Sequence, residues 1–153
     1  MRLVYLKSEL DDLSQGQRIS FARQIRLMTQ DDLLDKLGIT VENKRRTMTR
    51  YEKGERNPKE ERTRIIADIL KINYNAIKFY DYKNPIDIVY TLMWLEELFP
   101  RYQIDLSRIP SINDDNIIKF KEFINQWEEM RTKRFKREIS YEQYVEWKLN
   151  LEV

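Results

Sequence analysis

A short stretch in the N-terminal half of the chain concentrates basic side chains in a pattern suited to binding a polyanion. Residues 44–64 contain nine Lys or Arg and four Asp or Glu, whereas the whole chain carries a net charge of only +2. The stretch begins with Lys44, Arg45 and Arg46 in succession. Because arginine donates paired hydrogen bonds to phosphate oxygens and to guanine, this pattern predicts contact with nucleic acid.

The residue types that many enzymes and metal sites use are absent from the sequence. There is no Cys and no His, which excludes disulfides, Cys/His zinc sites and nucleophile–His pairs. Acidic doublets could suggest a metal-dependent nuclease, but no recurring spacing brings two of them to one metal, and most fall at predicted helix starts or on exposed faces. We therefore predict no catalytic activity, no metal site and no cofactor. The doublets are Asp31-Asp32, Glu60-Glu61, Glu96-Glu97, Asp114-Asp115 and Glu128-Glu129.

The elements that carry the basic stretch are predicted to be helices. Apolar residues recur at helical spacing, the chain has only three Gly and four Pro, and no strand-like alternation occurs, so the fold class is all-α. Five helices are expected to form one N-terminal domain over residues 1–82, with its core in 16–80. They are Gln17–Met28, a helix between the cap Thr29 and Gly38, Asn43–Lys53 closed by Gly54, a helix opened by Asn57-Pro58, and Tyr74–Tyr80. The fourth is expected to carry four residues inward: Ile65, Ile66, Ile69 and Leu70.

Residues 83–153 are predicted to form a small helical C-terminal module. A helix from Pro85 to about Phe99 precedes a long helix over 114–137, and Ser140 with Gln143 makes a capping box for a last helix. On the first of these we expect a stripe of Ile88, Leu92, Leu95 and Phe99, widened by Val89, Met93 and Trp94. On the second we expect one face of Ile117, Phe120, Ile124, Trp127 and Met130, and on the third Tyr144, Trp147 and Leu151. Aromatic residues in this module could line a ligand pocket, but at helical spacing we interpret them as core or helix–helix interface: Trp94, Trp127, Trp147, Tyr141 and Tyr144.

Motifs within residues 16–80 resemble a known family of DNA-binding proteins. In chain order they are GQRI at 16–19, Arg23, MTQ at 28–30, Leu33, LGI at 37–39, RYEKG at 50–54, Arg56, Pro58 and IADIL at 66–70. Their order and spacing resemble the Cro-like, phage-repressor-type (XRE) helix-turn-helix family, over about half of the chain. The resemblance implies a five-helix DNA-binding domain whose third helix enters the major groove while the second crosses the backbone. The segment after Gly38 is four residues longer than the family spacing, which predicts an extended turn or helix start.

The resemblance also implies which side chains meet DNA. Thr29 and Gln30 open the second helix, where family members commonly touch a phosphate. Of the remaining positions, Arg45, Arg46 and Thr49 are expected at base edges, Lys44 and Arg50 at phosphates, and Thr47 on the same face. Arg23 and Glu52 are implied to form a buried structural ion pair between the first and third helices. Arg62 and Arg64 could equally reach phosphates or pair with Glu60 and Glu61.

The basic residues at the start of the predicted third helix also favour this helix as the one that meets DNA. Basic side chains at a helix N-terminus oppose the macrodipole, at about 0.3–1 kcal/mol for each exposed charge. The second helix instead has Asp31 and Asp32 in its first turn, as stability would favour. The unfavourable placement of Lys44 to Arg46 is understandable if a polyanion neutralises it.

We therefore expect a sequence-specific double-stranded DNA-binding transcriptional regulator, most simply a repressor, that acts as a homodimer. An alternative is an antitoxin- or inhibitor-like protein whose C-terminal module binds a protein partner and whose DNA binding is autoregulatory. A third is an accessory factor in plasmid or phage replication. The N-terminus becomes charged too soon for a signal peptide, and the longest apolar run, Ile88–Leu95, is too short to span a bilayer, so we expect a cytoplasmic protein without membrane contact.

Overall fold

The regular structure of the chain is helical throughout the part that can be described. The computed structural model describes residues 10–40, 42, 44–98 and 115–151, and every regular element in these ranges is an α-helix, which confirms the all-α class. Between Tyr80 and Asp81 the chain divides into two compact units. The first holds α1 (Gln15–Ile25), α2 (Gln30–Lys36), α3 (Lys44–Glu52), α4 (Glu60–Leu70) and α5 (Tyr74–Ile77), and the second holds α6 (Pro85–Leu98), α7 (Asp115–Phe135) and α8 (Tyr141–Leu149).

The core of the first unit is made by short apolar stripes from all five helices. The buried side chains of α1, α3 and α4 include pairs three or four positions apart, the spacing that keeps them on one face, whereas the short helices α2 and α5 each bury two adjacent residues. The fully or almost fully buried apolar residues are Ile19, Phe21, Ala22, Leu33, Leu34, Met48, Tyr51, Ile66, Ala67, Leu70, Ile72, Ala76 and Ile77.

The end of α1 differs from the prediction. The helix was expected to reach Met28 but ends at Ile25, because Leu27 adopts a left-handed conformation with φ 56°. The Met28 N–H donates to the Arg23 carbonyl at 3.1 Å and the Leu27 N–H to the Gln24 carbonyl at 2.9 Å, which is a Schellman termination. Leucine gives no sequence signal for this turn, whereas glycine would have done so.

The bounds of α2 follow the predicted signals. The Thr29 hydroxyl accepts from the Asp32 N–H at 3.1 Å, and the Asp32 carboxylate accepts from the Thr29 N–H at 2.8 Å, which makes a reciprocal capping box. Hydrogen bonds from the backbone N–H and the side chain of Thr29 hold the pKa of the Asp32 carboxyl below its usual 3.8. At the other end Gly38 takes φ 74°, as expected for a C-terminal glycine.

The predictions for α4 and α5 are wrong in detail. Asn57 and Pro58 do not begin α4: Lys59 occupies the cap position without a side-chain bond, and the carboxylates of Glu60 and Glu61 lie in the first turn. Ile65 was expected inward but is 44% exposed, because the buried stripe runs through Thr63, Ile66, Ala67 and Leu70. The fifth helix ends at Ile77, not at Tyr80, because Lys78 is extended.

A buried arginine holds the end of α5. Arg18 Nη1 donates to the Ala76 carbonyl at 3.1 Å and Nη2 to the Lys78 carbonyl at 2.8 Å. Its guanidinium also lies 3.8 Å from the centre of the Tyr80 ring. Arg18 is 2% exposed, so its interactions are with the fold itself. Because carbonyl groups at a helix end need donors, this arrangement stabilises the last turn of α5.

The first helix of the second unit, α6, begins at a proline as predicted, but it buries only part of the expected stripe. Pro85 is its first residue, and the Asn84 side chain accepts from the Ile86 N–H at 3.1 Å. The expected stripe through Ile88 is wrong, because Ile88 is 46% exposed. Val89, Met93 and Trp94, which were expected to widen the stripe, are buried, and Leu92 and Leu95 are half-buried. The complete set of buried side chains is Ile86, Asp87, Val89, Tyr90, Met93 and Trp94. Apolar residues lie on nearly all sides of α6, so their spacing does not show which face will be buried. Phe99 lies outside the described residues.

A polar network joins α6, α7 and α8 beneath the surface of this unit. Trp127 Nε1 donates to the Tyr144 hydroxyl at 2.7 Å and to Glu96 at 3.0 Å, and the Tyr144 hydroxyl donates to Glu96 at 2.8 Å. Tyr141 donates to Glu97 at 2.6 Å, and Lys148 pairs with the same carboxylate. The doublet Glu96-Glu97 therefore bonds to side chains of α7 and α8.

The aromatic residues of α7 and α8 mainly form core, as predicted. Trp127 and Tyr144 are buried, as is Trp94 of α6, whereas Tyr141 and Trp147 are half-buried. Ile124 faces inward as expected, while Met130 is half-buried. The side chains of Ile117 and Phe120 lie outside the described residues. The Ser140–Gln143 capping box opens α8 as expected.

Candidate nucleic-acid interface

Helix α3 has one face in the core and the opposite face in solvent. Met48, Tyr51 and Glu52 are buried, while Arg45 and Arg46 are exposed. Arg46 lies two positions from Met48, on nearly the opposite side of the helix, whereas Arg45 lies three positions from Met48, at the edge of the packed face where it meets Asp31 of α2. The structure thus brings the cations of the basic stretch to the outer side of the helix that packs against α1 and α2.

Glu52 fixes the position of α3 against both neighbouring helices. Its Oε1 accepts from Arg23 Nε of α1 at 2.8 Å, and its Oε2 accepts from Gln30 Nε2 of α2 at 2.8 Å. Its backbone carbonyl also accepts from Gln17 Nε2 at 2.8 Å. The side chains of Arg23 and Glu52 are only 12% and 11% exposed, so the ion pair implied by the family resemblance is present and largely buried.

A glycine allows α1 and α3 to approach closely. A Cβ atom at Gly16 would lie 1.7 Å from the Tyr51 carbonyl oxygen and 2.7 Å from its carbon. Both atoms are backbone, so no side-chain rotation could make room. Gly16 was part of the motif at 16–19, but its steric role depends on α3 and is invisible in the local sequence.

The first predicted base-contacting residue, Arg45, is paired with a carboxylate on α2. Arg45 Nε lies 3.0 Å from both carboxylate oxygens of Asp31, and Nη2 donates to Oδ2 at 2.6 Å. The hydrogen bond from Arg45 holds the pKa of Asp31 below its usual 3.8. The Arg45 side chain nevertheless remains 75% exposed, against 30% for Asp31, so the guanidinium lies on the solvent side of the pair.

The cations predicted at phosphates are also paired within the chain. Lys44 Nζ binds the Asp35 carboxylate of α2, which raises the pKa of the lysine. Arg50 lies 3.7 Å from Glu55, and both side chains are about half exposed. Such exposed pairs stabilise a fold by at most about 1 kcal/mol, so each cation can exchange its partner at small cost.

Arg46 differs from its neighbours because it has no carboxylate partner among the described residues. It is exposed, and Thr47 beside it is half-buried. Thr49 donates weakly to Gln30 Oε1, with 3.5 Å between the two oxygens. Within the described part of α3, Arg46 is therefore the cation most open to an added anion.

Thr29 and Gln30 lie at the start of α2, but their side chains have internal roles. The Thr29 hydroxyl caps the helix, and the Gln30 amide joins Glu52 to Thr49. Asp31 and Asp32 follow in the first turn and add negative charge there. The arrangement favours a positioning role for Gln30 over a direct side-chain contact with phosphate.

Several residues around this surface were not recognised from the sequence as contributing to it. Asp31 was interpreted as a helix-start carboxylate and Asp35 was given no role, yet they hold Arg45 and Lys44. Arg26 donates to the Leu70 carbonyl at 2.6 Å and to the Lys71 carbonyl at 2.9 Å, which binds α1 to the end of α4. The four-residue spacing from Asp31 to Asp35 was a usable signal, since it places both carboxylates on one helix face.

The remaining candidates separate into different environments. Residues 37–43 lie between α2 and α3, and Val41 and Asn43 in this connection lie outside the described residues. Arg64 pairs with Glu60 at 2.9 Å, and Arg62 donates to the Tyr51 hydroxyl at 3.0 Å. Arg64 therefore pairs with Glu60, as one of the two sequence interpretations held, whereas Arg62 bonds to Tyr51 and to neither of the expected carboxylates.

Other kinds of site are not found in the described ranges. No group of three or more carboxylates there could hold a metal ion. None of the helices in the same ranges is both long and apolar enough to cross a bilayer. Comparison of the chain with protein-family models, with curated proteins and with solved structures finds no match.

Proposed function

We propose that this chain is a sequence-specific double-stranded DNA-binding transcriptional regulator of the Cro-like helix-turn-helix type. The observation that carries the proposal is the division of α3 into a packed face and a cationic outer face. Glu52 holds the packed face on α1 and α2, while Arg46 projects on the other side and Arg45 is exposed at the edge beside α2. A helix held in this way can enter the major groove without rearranging the core.

The charge distribution supports the same role. Residues 44–64 have a net charge of +5, although the chain as a whole is nearly neutral. Phosphate contacts would provide most of the affinity and would make it strongly dependent on salt, whereas α3 would provide sequence discrimination. Arg46, with no described carboxylate partner, is the side chain that reaches a base edge or a phosphate at the lowest electrostatic cost.

We further propose that the protein binds as a homodimer, with the second unit pairing the two chains. Helix-turn-helix dimers meet half-sites separated by about 34–36 Å, one turn of the duplex. Sedimentation of the full-length protein, free and with a palindromic duplex, tests this part. A single chain bound per duplex under all conditions would contradict dimeric binding but would leave the DNA-binding role intact.

Selection from a pool of randomised duplexes at two salt concentrations tests the DNA-binding role. We expect a recovered sequence motif and an affinity that falls steeply with salt. The double variant Arg45→Ala, Arg46→Ala should lose base preference at positions read by α3. Lys133→Ala, Lys136→Ala removes the same charge from the end of α7 and should keep the motif. Failure of the wild-type protein to enrich any duplex at low salt would refute the proposed function.

A further inference from the structure

We propose that Asp31 is a specificity-determining positioning residue that holds Arg45 ready to read one guanine. This inference rests on the proposed function, because it assigns a role to Asp31 within the same DNA-binding surface. Asp31 does not itself need to touch DNA. It acts through the guanidinium of Arg45, which it binds from the neighbouring helix α2.

The Arg45 guanidinium has two edges that can each bind a planar partner, and Asp31 occupies one of them. The carboxylate of Asp31 occupies the side formed by Nε and Nη2, with N···O distances of 3.0, 3.0 and 2.6 Å. The outer edge formed by Nη1 and Nη2 keeps N–H donors for a second planar partner. A guanine presents O6 and N7 in the major groove at the spacing that this outer edge matches.

The exposure of the two side chains fits this division of roles. Arg45 is 75% exposed, whereas Asp31 is 30% exposed and lies on the helix behind it. A free arginine on a helix surface samples many rotamers and loses that freedom on binding. Because Asp31 orients the Arg45 guanidinium before DNA binds, part of this ordering is already complete in the free protein.

The carboxylate also has an opposite effect on affinity. Its negative charge repels phosphates, so it weakens binding to duplexes of any sequence. The combination predicts that Asp31 lowers non-specific affinity and raises discrimination at one base pair. A carboxylate that only competed with DNA for Arg45 would change affinity and leave discrimination unchanged.

Asp35 provides a matched control on the same helix. It has the same charge and also holds a cation of α3, but that cation is Lys44. An ammonium is a point charge with rotating donors and has no planar fork to orient. Removal of Asp35 should therefore raise affinity for all duplexes without altering base preference.

The experiment measures binding of full-length Asp31→Ala, Asp35→Ala and Arg45→Ala to the selected duplex and to its single-base variants. For Asp31→Ala we expect higher affinity for random duplex and a loss of discrimination at one guanine on the order of tenfold. Asp35→Ala should raise the affinity for random duplex without loss of discrimination at that guanine. In the Arg45→Ala background, Asp31→Ala should cause no further loss at that guanine.

Asp31→Asn keeps the size of the side chain and replaces one of the two acceptor oxygens, so it tests the same role with less risk to α2. Melting temperatures identify any variant that fails to fold. Unchanged discrimination in folded Asp31→Ala and Asp31→Asn would overturn the inference, as would an equal loss at every base pair. Such results leave the proposed function standing, whereas a wild-type protein that binds no duplex overturns both.

Discussion

Replacement of Gly16 by alanine should destabilise the N-terminal unit although alanine is the better helix former. In an open helix position the substitution would gain up to about 1 kcal/mol. Here the added Cβ would lie 1.7 Å from the Tyr51 carbonyl oxygen, and a normal contact requires at least 3.0 Å, so α1 and α3 must separate. Overpacking of this kind costs about 1–3 kcal/mol, and we expect a net loss of roughly 2 kcal/mol.

Thermal unfolding followed by circular dichroism measures this effect. A loss of 2 kcal/mol in a unit of about 80 residues corresponds to a fall in Tm of about 8–16 °C. If the chain binds DNA as proposed, the displacement of α3 should also weaken that binding at temperatures where the variant remains folded. A Gly16→Ala protein as stable as the wild type would show that the two backbones do not approach as closely as described.

Gly54→Ala is the matched control. Its Cβ would meet no atom within 4 Å, but Gly54 has φ 76°. The cost should therefore be the local one of about 1–2 kcal/mol for a left-handed alanine. Because α1 and α3 need not separate, DNA affinity at a temperature where the variant is folded should be retained. Loss of binding in this control would indicate that reduced stability alone explains the effect of Gly16→Ala.

Three further predictions concern other parts of the chain. Leu27→Gly should raise the free energy of unfolding in urea by about 1 kcal/mol, because Leu27 is 80% exposed with φ 56° and loses little packing; a destabilised variant would contradict this. Burial and the carboxylates of α6 raise the pKa of Tyr141 and Tyr144 above their usual 10.0, so these tyrosines stabilise the fold below about pH 10, and stability should fall as pH rises beyond it. Urea titrations at pH 9 and 11 measure the free energy of unfolding, and its decline between the two pH values should be smaller when both tyrosines are replaced by phenylalanine. An equal decline in that variant would count against tyrosine ionisation as the cause. Glu52→Ala should lower the free energy of unfolding by about 3 kcal/mol because it leaves Arg23 largely buried without its partner. A double-mutant cycle with Arg23→Ala should show strong coupling between the two residues, and additive effects would contradict this explanation.

Several helix starts and ends were predictable from signals within a few residues, although Asn57-Pro58 is such a signal and α4 begins only at Glu60. Thr29 and Ser140 cap α2 and α8 through bonds to groups three residues away, and Gly38 ends α2 in the expected conformation. The end of α1 was missed because Leu27 takes a conformation that glycine usually signals. Local sequence therefore predicts a helix boundary when the residue itself carries the preference.

The inward faces of the helices were less predictable. Ile65 and Ile88 are apolar and lie at helical spacing with other apolar residues, yet both are exposed. Where more apolar residues surround a helix than one face can bury, the neighbouring helices decide which are covered. The same reason explains Arg18, a cation by type that is buried because Ala76 and Lys78 offer it carbonyl acceptors.

The candidate site shows the same division between local and long-range information. The basic run at 44–46 and the Arg23–Glu52 pair were accessible from the order of residues and the family resemblance. That Asp31 holds Arg45, and that Arg46 has no described carboxylate partner, depends on how α2 and α3 lie against each other. Pairing between residues fourteen positions apart follows from packing, which local spacing does not encode.

By itself, the sequence determined the all-α class, the helix caps and the concentration of positive charge in residues 44–64, because propensity, capping and charge are properties of residues and near neighbours. Only the tertiary structure decided that Gly16 admits the Tyr51 carbonyl, that Glu52 joins three helices, and that Glu96 and Glu97 are enclosed. These features arise where segments distant in the chain meet, since steric fit and hydrogen-bond satisfaction depend on both partners.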